Sequence, residues 1–402
     1  MTETTRPPNT FRHYVAANTL MIAGQEVIVV AVGWMVYART GSAFALGMIG
    51  LAGFLPVLSL SLVTGLVADR SDRRGIMVGC GAALTAGAVA LCVIAQASAV
   101  WPIFLAVVLI ASAKAFRNPA AKALLPSLVP PGGLSRALAM TTSASQVARL
   151  SAPVAGGLLY AVDPLLPFVT AALLFCAATG FSIAIGARPA AARQPRASLA
   201  NLVEGYRFIW SQPVLLGALS LDLVAVLLGG ATALLPIFVD EVFRAGPWAL
   251  GLLRAAPAVG ALGMATVLSW RPLGARVGRS LFVSVGVFGV AMTGFGLASN
   301  LWLALGLLMV AGAADTVSQI IRNALMQLRT PDHMRGRVSA AQSVMVGASN
   351  ELGEFESGLM AAAFGAVPAV VIGGVGAVAA AFAWARMFPA LRDADRLEAP
   401  RR

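Results

Sequence analysis

Charge is what this chain has least of. Only 11% of its 402 residues are Asp, Glu, Lys or Arg, against about 25% in a soluble globular domain. That shortage excludes an ordinary water-facing fold, and the mean hydropathy of +0.83 agrees. Acidic residues are the scarcer sign, 17 against 29 basic ones. Histidine occurs twice and cysteine three times. Cys80, Cys92 and Cys176 sit inside apolar runs, without disulfide or metal-site spacing. His13 and His333 lie near polar loops and read as solvated residues. No Gly-rich phosphate loop carries the lysine that ATP-driven work would need. No nucleophile–base constellation marks an enzyme, and no cofactor or metal is expected. The basic excess is not interleaved with aromatic residues, so nucleic acid is not an expected partner. The first 12 residues are polar and lack the apolar stretch of a cleavable signal peptide, so the first apolar run is expected to direct insertion itself.

What the chain has in abundance is long apolar runs, with 58% hydrophobic residues overall. Twelve are legible, over 14–37, 45–68, 76–97, 101–121, 138–161, 165–187, 213–239, 247–270, 280–299, 301–323, 338–362 and 367–388. Each is long enough to cross about 30 Å of hydrocarbon as a helix, the form that satisfies its own backbone. An all-α membrane protein of twelve transmembrane helices follows.

An even number of spans puts both termini on one side, together with the loops at 69–75, 122–137, 188–212, 271–279 and 324–337. All but four of the 29 basic residues fall in or beside these regions. Arg39 and Arg244 lie on the other side, and Arg149 and Arg254 lie within spans. The bias makes the basic side cytoplasmic, in the inner membrane of the cell. Trp101, Trp248 and Trp302 sit near the outer ends of spans, as interfacial anchors do.

The loop at 188–212 divides the chain into a six-span bundle over 1–187 and a second over 213–402. Its first part is rich in Ala, Pro and Arg. Its second part places Leu199, Leu202, Val203, Tyr206, Ile209 and Trp210 at helical spacing, opposite Asn201, Glu204 and Arg207. Two readings fit: an amphipathic helix on the inner membrane surface, or an extension of the next span.

The halves repeat. Phe116-Arg117-Asn118-Pro119 has a counterpart in Ile321-Arg322-Asn323-Ala324. Arg136 in Ser135-Arg136-Ala137-Leu138 likewise matches Arg337 in Gly336-Arg337-Val338-Ser339. Both pairs join a fourth span to a fifth and are offset by about half the chain. A duplicated six-helix unit, with substrate held between pseudo-symmetric halves, is the architecture this implies.

The turn between the second and third spans is Gly65-Leu66-Val67-Ala68-Asp69-Arg70-Ser71-Asp72-Arg73-Arg74. Its pattern resembles the signature loop of the major facilitator superfamily of transporters. Trp34-Met35-Val36-Tyr37, Thr40-Gly41-Ser42, Ala45-Leu46-Gly47, Asn118-Pro119-Ala120 through Pro130 and Arg335 through Ala340 resemble the branch of enterobactin exporters and drug:proton antiporters. The resemblance covers essentially the whole chain. It implies that Gly65, Asp69, Arg70, Arg73 and Arg74 form a cytoplasmic gate, with Asp69 latching the halves and the arginines pairing across the closure. A local salt bridge within the loop is the alternative. Asp72 stands where the family has glycine.

In the fifth span, Ala152-Pro153-Val154-Ala155-Gly156-Gly157 resembles the antiporter motif, with Ala152 for its first glycine. Pro153 breaks a backbone hydrogen bond, and Gly156 and Gly157 permit close helix approach. The resemblance implies a hinge tied to export; an ordinary packing kink is the alternative.

An ionisable group inside the bilayer costs about 2.5–3.5 kcal/mol on insertion scales, so each needs a reason. Glu26 lies mid-span in the first helix beside Gln25, with Asn18 a further polar group there. Arg149 is mid-span in the fifth, Asp222 about a third of the way into the seventh, Arg254 in the outer part of the eighth and Asp315 in the inner half of the tenth. In the eleventh, Asn350, Glu351 and Glu354 share one face while Glu356 points elsewhere. Carboxylates so close cannot all stay ionised cheaply, which suits at least one to proton coupling. Glu26 leads as the substrate- or proton-handling residue, followed by Glu351 and Glu354. Arg149 either joins them or pairs structurally with a carboxylate on another helix. Asp222 and Asp315 either join them or bridge helices as packing groups.

The expected function is a secondary active, proton-coupled exporter of a small organic molecule such as a drug or siderophore, working by alternating access as a monomer in the lipid bilayer. An uptake carrier of the same fold is the near alternative, and a membrane receptor or enzyme the distant one.

Overall fold

The computed structural model describes residues 9–130, 132–186, 199–271, 276–331 and 333–393. Side chains at 61, 62, 65, 66, 68–70 and 199–202 are outside that description. Among the described residues every regular element is helical. The first half contains α1 (Thr10–Thr40), α2 (Ala43–Arg70), α3 (Arg73–Ile94), α4 (Trp101–Leu124), α5 (Leu134–Val162) and α6 (Leu166–Ala184). Then come α7 (Leu199–Ser211), α8 (Pro213–Leu228), α9 (Leu235–Ile237), α10 (Pro247–Trp270), α11 (Val277–Leu297), α12 (Leu301–Arg329), α13 (Arg335–Phe364), α14 (Ala366–Met387) and a last turn, α15 (Pro389–Arg392).

Local chemistry explains where the helices start and stop. The Asp72 carboxylate caps α3 by accepting from the backbone N–H groups of Arg74 and Gly75, two donors a helix start otherwise leaves unpaired. Asn300 caps α12 the same way, accepting from Trp302 and Leu303. Proline occupies the first turn of α4, α6, α8 and α10, where its missing N–H costs nothing. The step from α13 to α14 is the single residue Gly365 at φ 93°, a conformation open to glycine and strained for other residues.

Among the described residues, ten segments are long and apolar enough to cross a membrane. The other two long helices, α5 with 29 residues and α13 with 30, are long enough but more polar. They correspond to the fifth and eleventh spans, the same place in each half of the sequence.

The seventh span differs from the continuous helix expected over 213–239. It is α8, a 3₁₀ turn over Ala231–Leu234, α9, and a π-helical turn over Phe238–Val242. Gly229-Gly230 marks the break. Gly230 lies against the Gly353 carbonyl of α13, leaving no room for a side chain. Close backbone approach thus replaces helical continuity here.

The chain forms two compact units. Unit 1 comprises 1–39 and 55–197, and unit 2 comprises 40–54 and 198–402. In unit 1, Tyr14, Met77, Leu124, Leu125, Leu128 and Ile185 form a buried cluster. In unit 2, Ile209, Leu215, Leu219, Leu281, Ile321 and Leu391 belong to a larger one. Helix α7 is a separate amphipathic helix, divided from α8 by extended Gln212. It is therefore not an extension of the next span. Nor does it merely lie on a lipid surface: Ile209 is buried in the unit 2 core, Gly205 abuts the Arg337 backbone of α13, and Glu204 pairs with Arg337 at 2.6 Å.

Candidate functional site

Among the described residues, four groups of ionisable side chains within the helices stand out. In unit 1, Glu26 of α1 and Arg149 of α5 form an ion pair, Oε1 to Nη1, at 3.0 Å. Neither is sealed off: the Arg149 side chain is 53% exposed and that of Glu26 24%. Such a pair can exchange partners, which a dry pair cannot do cheaply. Next to Glu26, the Gln25 amide nitrogen is buried without a hydrogen-bond partner.

About two turns away in α1, Asn18 accepts from the Arg117 guanidinium of α4 at 2.5 Å and reaches Ser145 of α5 at 3.3 Å. Arg117 also bonds Asn118 at 3.3 Å. Arg117 is only 2% exposed. Grouping it with the basic residues beside the loops captured its sequence position but not its burial: its guanidinium turns into the bundle.

In unit 2, Arg322 of α12 is the counterpart, 3% exposed and paired with Asp222 of α8. Asp315, about two turns earlier in α12, lies within electrostatic reach of both. Asp222 and Asp315 line one small cavity with Ser284 and Ser318. The structure thus brings Asp222 and Asp315 together.

The eleventh-span carboxylates sit elsewhere in unit 2, against the first part of α2. A side chain built at Gly53 would meet the Glu351 carboxylate at 2.6 Å, and one at Gly50 would meet Glu354 Cβ at 2.8 Å. Glu351 and Glu354 therefore share a face, as their spacing predicts. Gly47 and Gly358 continue the contact as a glycine-on-glycine crossing. The glycines at 47, 50 and 53 fall at helical spacing and form a smooth strip for these carboxylates to lie on.

In the expected gate loop, Gly65, Asp69 and Arg70 have helical backbones in α2, and their side chains lie outside the described residues. Arg73 donates to the Ala123 carbonyl at 2.9 Å, and Arg74 to the Ile183 carbonyl at 2.5 Å. These acceptors end α4 and α6, where free carbonyls and the helix dipole favour a cation. Both arginines hold unit 1 together. Asp72, the departure from the family glycine, is the α3 cap described above. Pro153, Gly156 and Gly157 are buried in α5. A Cβ on Gly156 would lie 3.2 Å from the Val27 backbone of α1, so the motif brings these two helices close.

Sequence reasoning passed over Arg117 and Arg322 as site residues. A signal existed: each precedes Asn at the end of the fourth long helix of its half, and each half carries a polar residue on its first helix, Asn18 or Asp222. Among the described residues no group of three or more His, Cys, Asp or Glu could hold a metal ion.

Comparison with known proteins places this geometry in context. The family described as transmembrane secretion effector matches residues 7–400. The multidrug efflux pump Tap of Mycobacterium tuberculosis is 30% identical, over 94% of this chain and 93% of that one. The pump of the same name from Mycolicibacterium fortuitum is 28% identical over 85% and 87%. Macrolide efflux protein A of Streptococcus pyogenes is 27% identical over 42% of each chain. Among solved structures, a bacterial homolog of the human lysosomal transporter Spinster superposes with a TM-score of 0.77 at 15% identity, covering 97% of this chain and 99% of that one. The nucleoside transporter NupG superposes with a TM-score of 0.76 at 14% identity, covering 94% and 99%. At such identities the likeness is one of fold. With its family match spanning nearly the whole length and the twelve long helical segments to go with it, the chain belongs to the transmembrane secretion effector family of major facilitator superfamily transporters.

Proposed function

We propose that this chain exports small organic molecules, drugs of the kind named for its efflux relatives, in exchange for protons. Two six-helix halves over 1–187 and 213–402 would rock about a central site, giving alternating access in the cell membrane with both termini in the cytoplasm. The excess of arginine on the terminal side supports that orientation. Asp69 and Arg70 serve as the cytoplasmic latch in this reading, while Arg73 and Arg74 anchor the loop that carries them.

The observation that carries the reading is the half-open Glu26–Arg149 pair inside a membrane protein. Glu26 can attract a cationic or amphipathic cargo only when Arg149 releases it. Protonation of Glu26 removes that attraction, so proton and cargo exclude each other. Glu351, Glu354, Asp222 and Asp315 are the other carboxylates available to the proton. Gln25 and Asn18 add polar contacts, and Pro153 with Gly156 and Gly157 allows α5 to flex against α1. Coupling needs only that proton and cargo bind the two states with different affinity.

The test reconstitutes the full chain in liposomes, imposes a pH gradient and follows macrolides and lipophilic cations. Cargo should accumulate on the acidic side and stop when the gradient is collapsed. Flux in the direction of proton entry would make the chain an uptake carrier instead. No gradient-driven flux of any class, with binding intact, would overturn the proposal.

A further inference from the structure

The two buried arginines occupy matching places in the two halves but meet different partners. In unit 1 the first long helix offers Asn18 and the fourth offers Arg117, 99 residues apart in sequence. In unit 2 the first long helix offers Asp222 and the fourth offers Arg322, 100 residues apart. The geometry repeats, with an amide oxygen replaced by a carboxylate. Arg117 has Arg149 within electrostatic reach, whereas Arg322 has the additional carboxylate Asp315. One half therefore pairs its buried arginine with an amide, and the other gives it two acids.

Asp222 uses one oxygen on Arg322, and the second, Oδ2, is buried without a hydrogen-bond partner. Asp222 and Asp315 line a cavity of about 20 Å³ together with Ser284 and Ser318, room for roughly one water. The charged groups within reach of Asp222 are Arg322 and Asp315, and that within reach of Asp315 is Arg322. On other sides of α8, Gly353 of α13 lies against Val226 and Leu227, and Trp384 of α14 donates to Ser220.

We propose that Asp222 and Asp315 share the coupling proton of this transporter, as a one-proton site with Arg322 as its fixed counter-charge. The proposal rests on the proton-coupled reading above and moves the coupling proton from Glu26, which keeps its place in the cargo site, to these two acids. With both acids ionised the trio carries a net negative charge in an apolar interior. One added proton makes it neutral, so the site gains one proton readily and a second only by leaving Arg322 unbalanced. A water in that cavity would give the proton a path between the carboxylates. Arg322 also decides against sodium, because a metal cation beside a guanidinium would need both acids to itself. Asn18–Arg117 is the copy with an amide in place of the carboxylate.

Infrared spectroscopy of the purified full chain in lipid, titrated from alkaline to acidic pH, reads protonated carboxyl groups directly and needs no cargo. The wild type should show a titrating carboxyl component that is lost in Asp222→Asn/Asp315→Asn. Asp222→Asn recreates the amide–guanidinium pair around which the first half already folds, and Asp222→Glu should return the component. An unchanged titration in the double variant overturns the proposal, as does displacement of the component by sodium at constant pH. If wild-type liposomes show no gradient-driven flux while the component titrates and depends on both residues, the export reading fails and this site stands.

Discussion

Glu26 and Arg149 meet at 3.0 Å between the first and fifth helices, and both remain partly open. Glu26→Gln should abolish gradient-driven flux of cationic cargo, to the level of protein-free liposomes, while the protein stays folded. Arg149→Glu alone should fail as well, because it sets two acids face to face. Exchanging the two residues restores the pair, and thermal stability should recover more fully than transport. Full cationic flux in Glu26→Gln, measured across pH, would remove this pair from the cargo site.

Asp72 caps α3 through two backbone N–H groups. Asp72→Ala should cost about 1 kcal/mol, and Asp72→Gly only a few tenths, as for other helix N-caps. Thermal unfolding in detergent measures both. Transport by the Asp72→Ala variant should persist at temperatures well below its transition. Equal stability of Asp72→Ala and the wild type would show that the residue is not acting as a cap.

Gly47 and Gly358 cross backbone to backbone within unit 2. Gly358→Ala places a methyl group where only backbone is available to move, so overpacking of about 1–3 kcal/mol is expected. Gly347, with open space around its Cα, is the matched control, and Gly347→Ala should be neutral or slightly stabilising as a helix-interior change. Comparing the two melting curves isolates the crossing from helix propensity.

Glu204–Arg337 and Ile209 both tie α7 to unit 2, but by different physics. The ion pair is solvent-facing, with side chains 49% and 33% exposed, so Glu204→Ala should cost less than about 1 kcal/mol and less still in high salt. Ile209 is 2% exposed, and Ile209→Ala should cost about 2–5 kcal/mol. Limited proteolysis near α7 should rise sharply for Ile209→Ala and hardly at all for Glu204→Ala. The reverse order would mean that charge, not apolar burial, docks the helix.

Much of the architecture was legible because membrane insertion imposes a length and hydropathy on each segment. The expected span over 247–270 coincides with α10, and 301–323 begins where α12 begins. Helix α8 was not legible as a broken element. Its break depends on Gly230 meeting the Gly353 carbonyl from a helix more than a hundred residues away, and periodicity along one segment carries no trace of that. The faces of α13 were readable from spacing alone, but the glycine strip of α2 that receives Glu351 and Glu354 was not.

By itself the sequence determined the number of long helices, the side on which basic residues gather and the repeat that relates the halves, because each follows from composition along a segment or from duplication of one. It also marked Glu26, Arg149, Asp222 and Asp315 as costly residues needing partners. Only the tertiary structure decided which partners they take. Glu26 goes to Arg149, Asp222 to Arg322, and Asn18 to Arg117. Charge pairing depends on distance and burial, and two arginines at matching positions in sequence took an amide in one half and a carboxylate in the other once the helices around them were brought together.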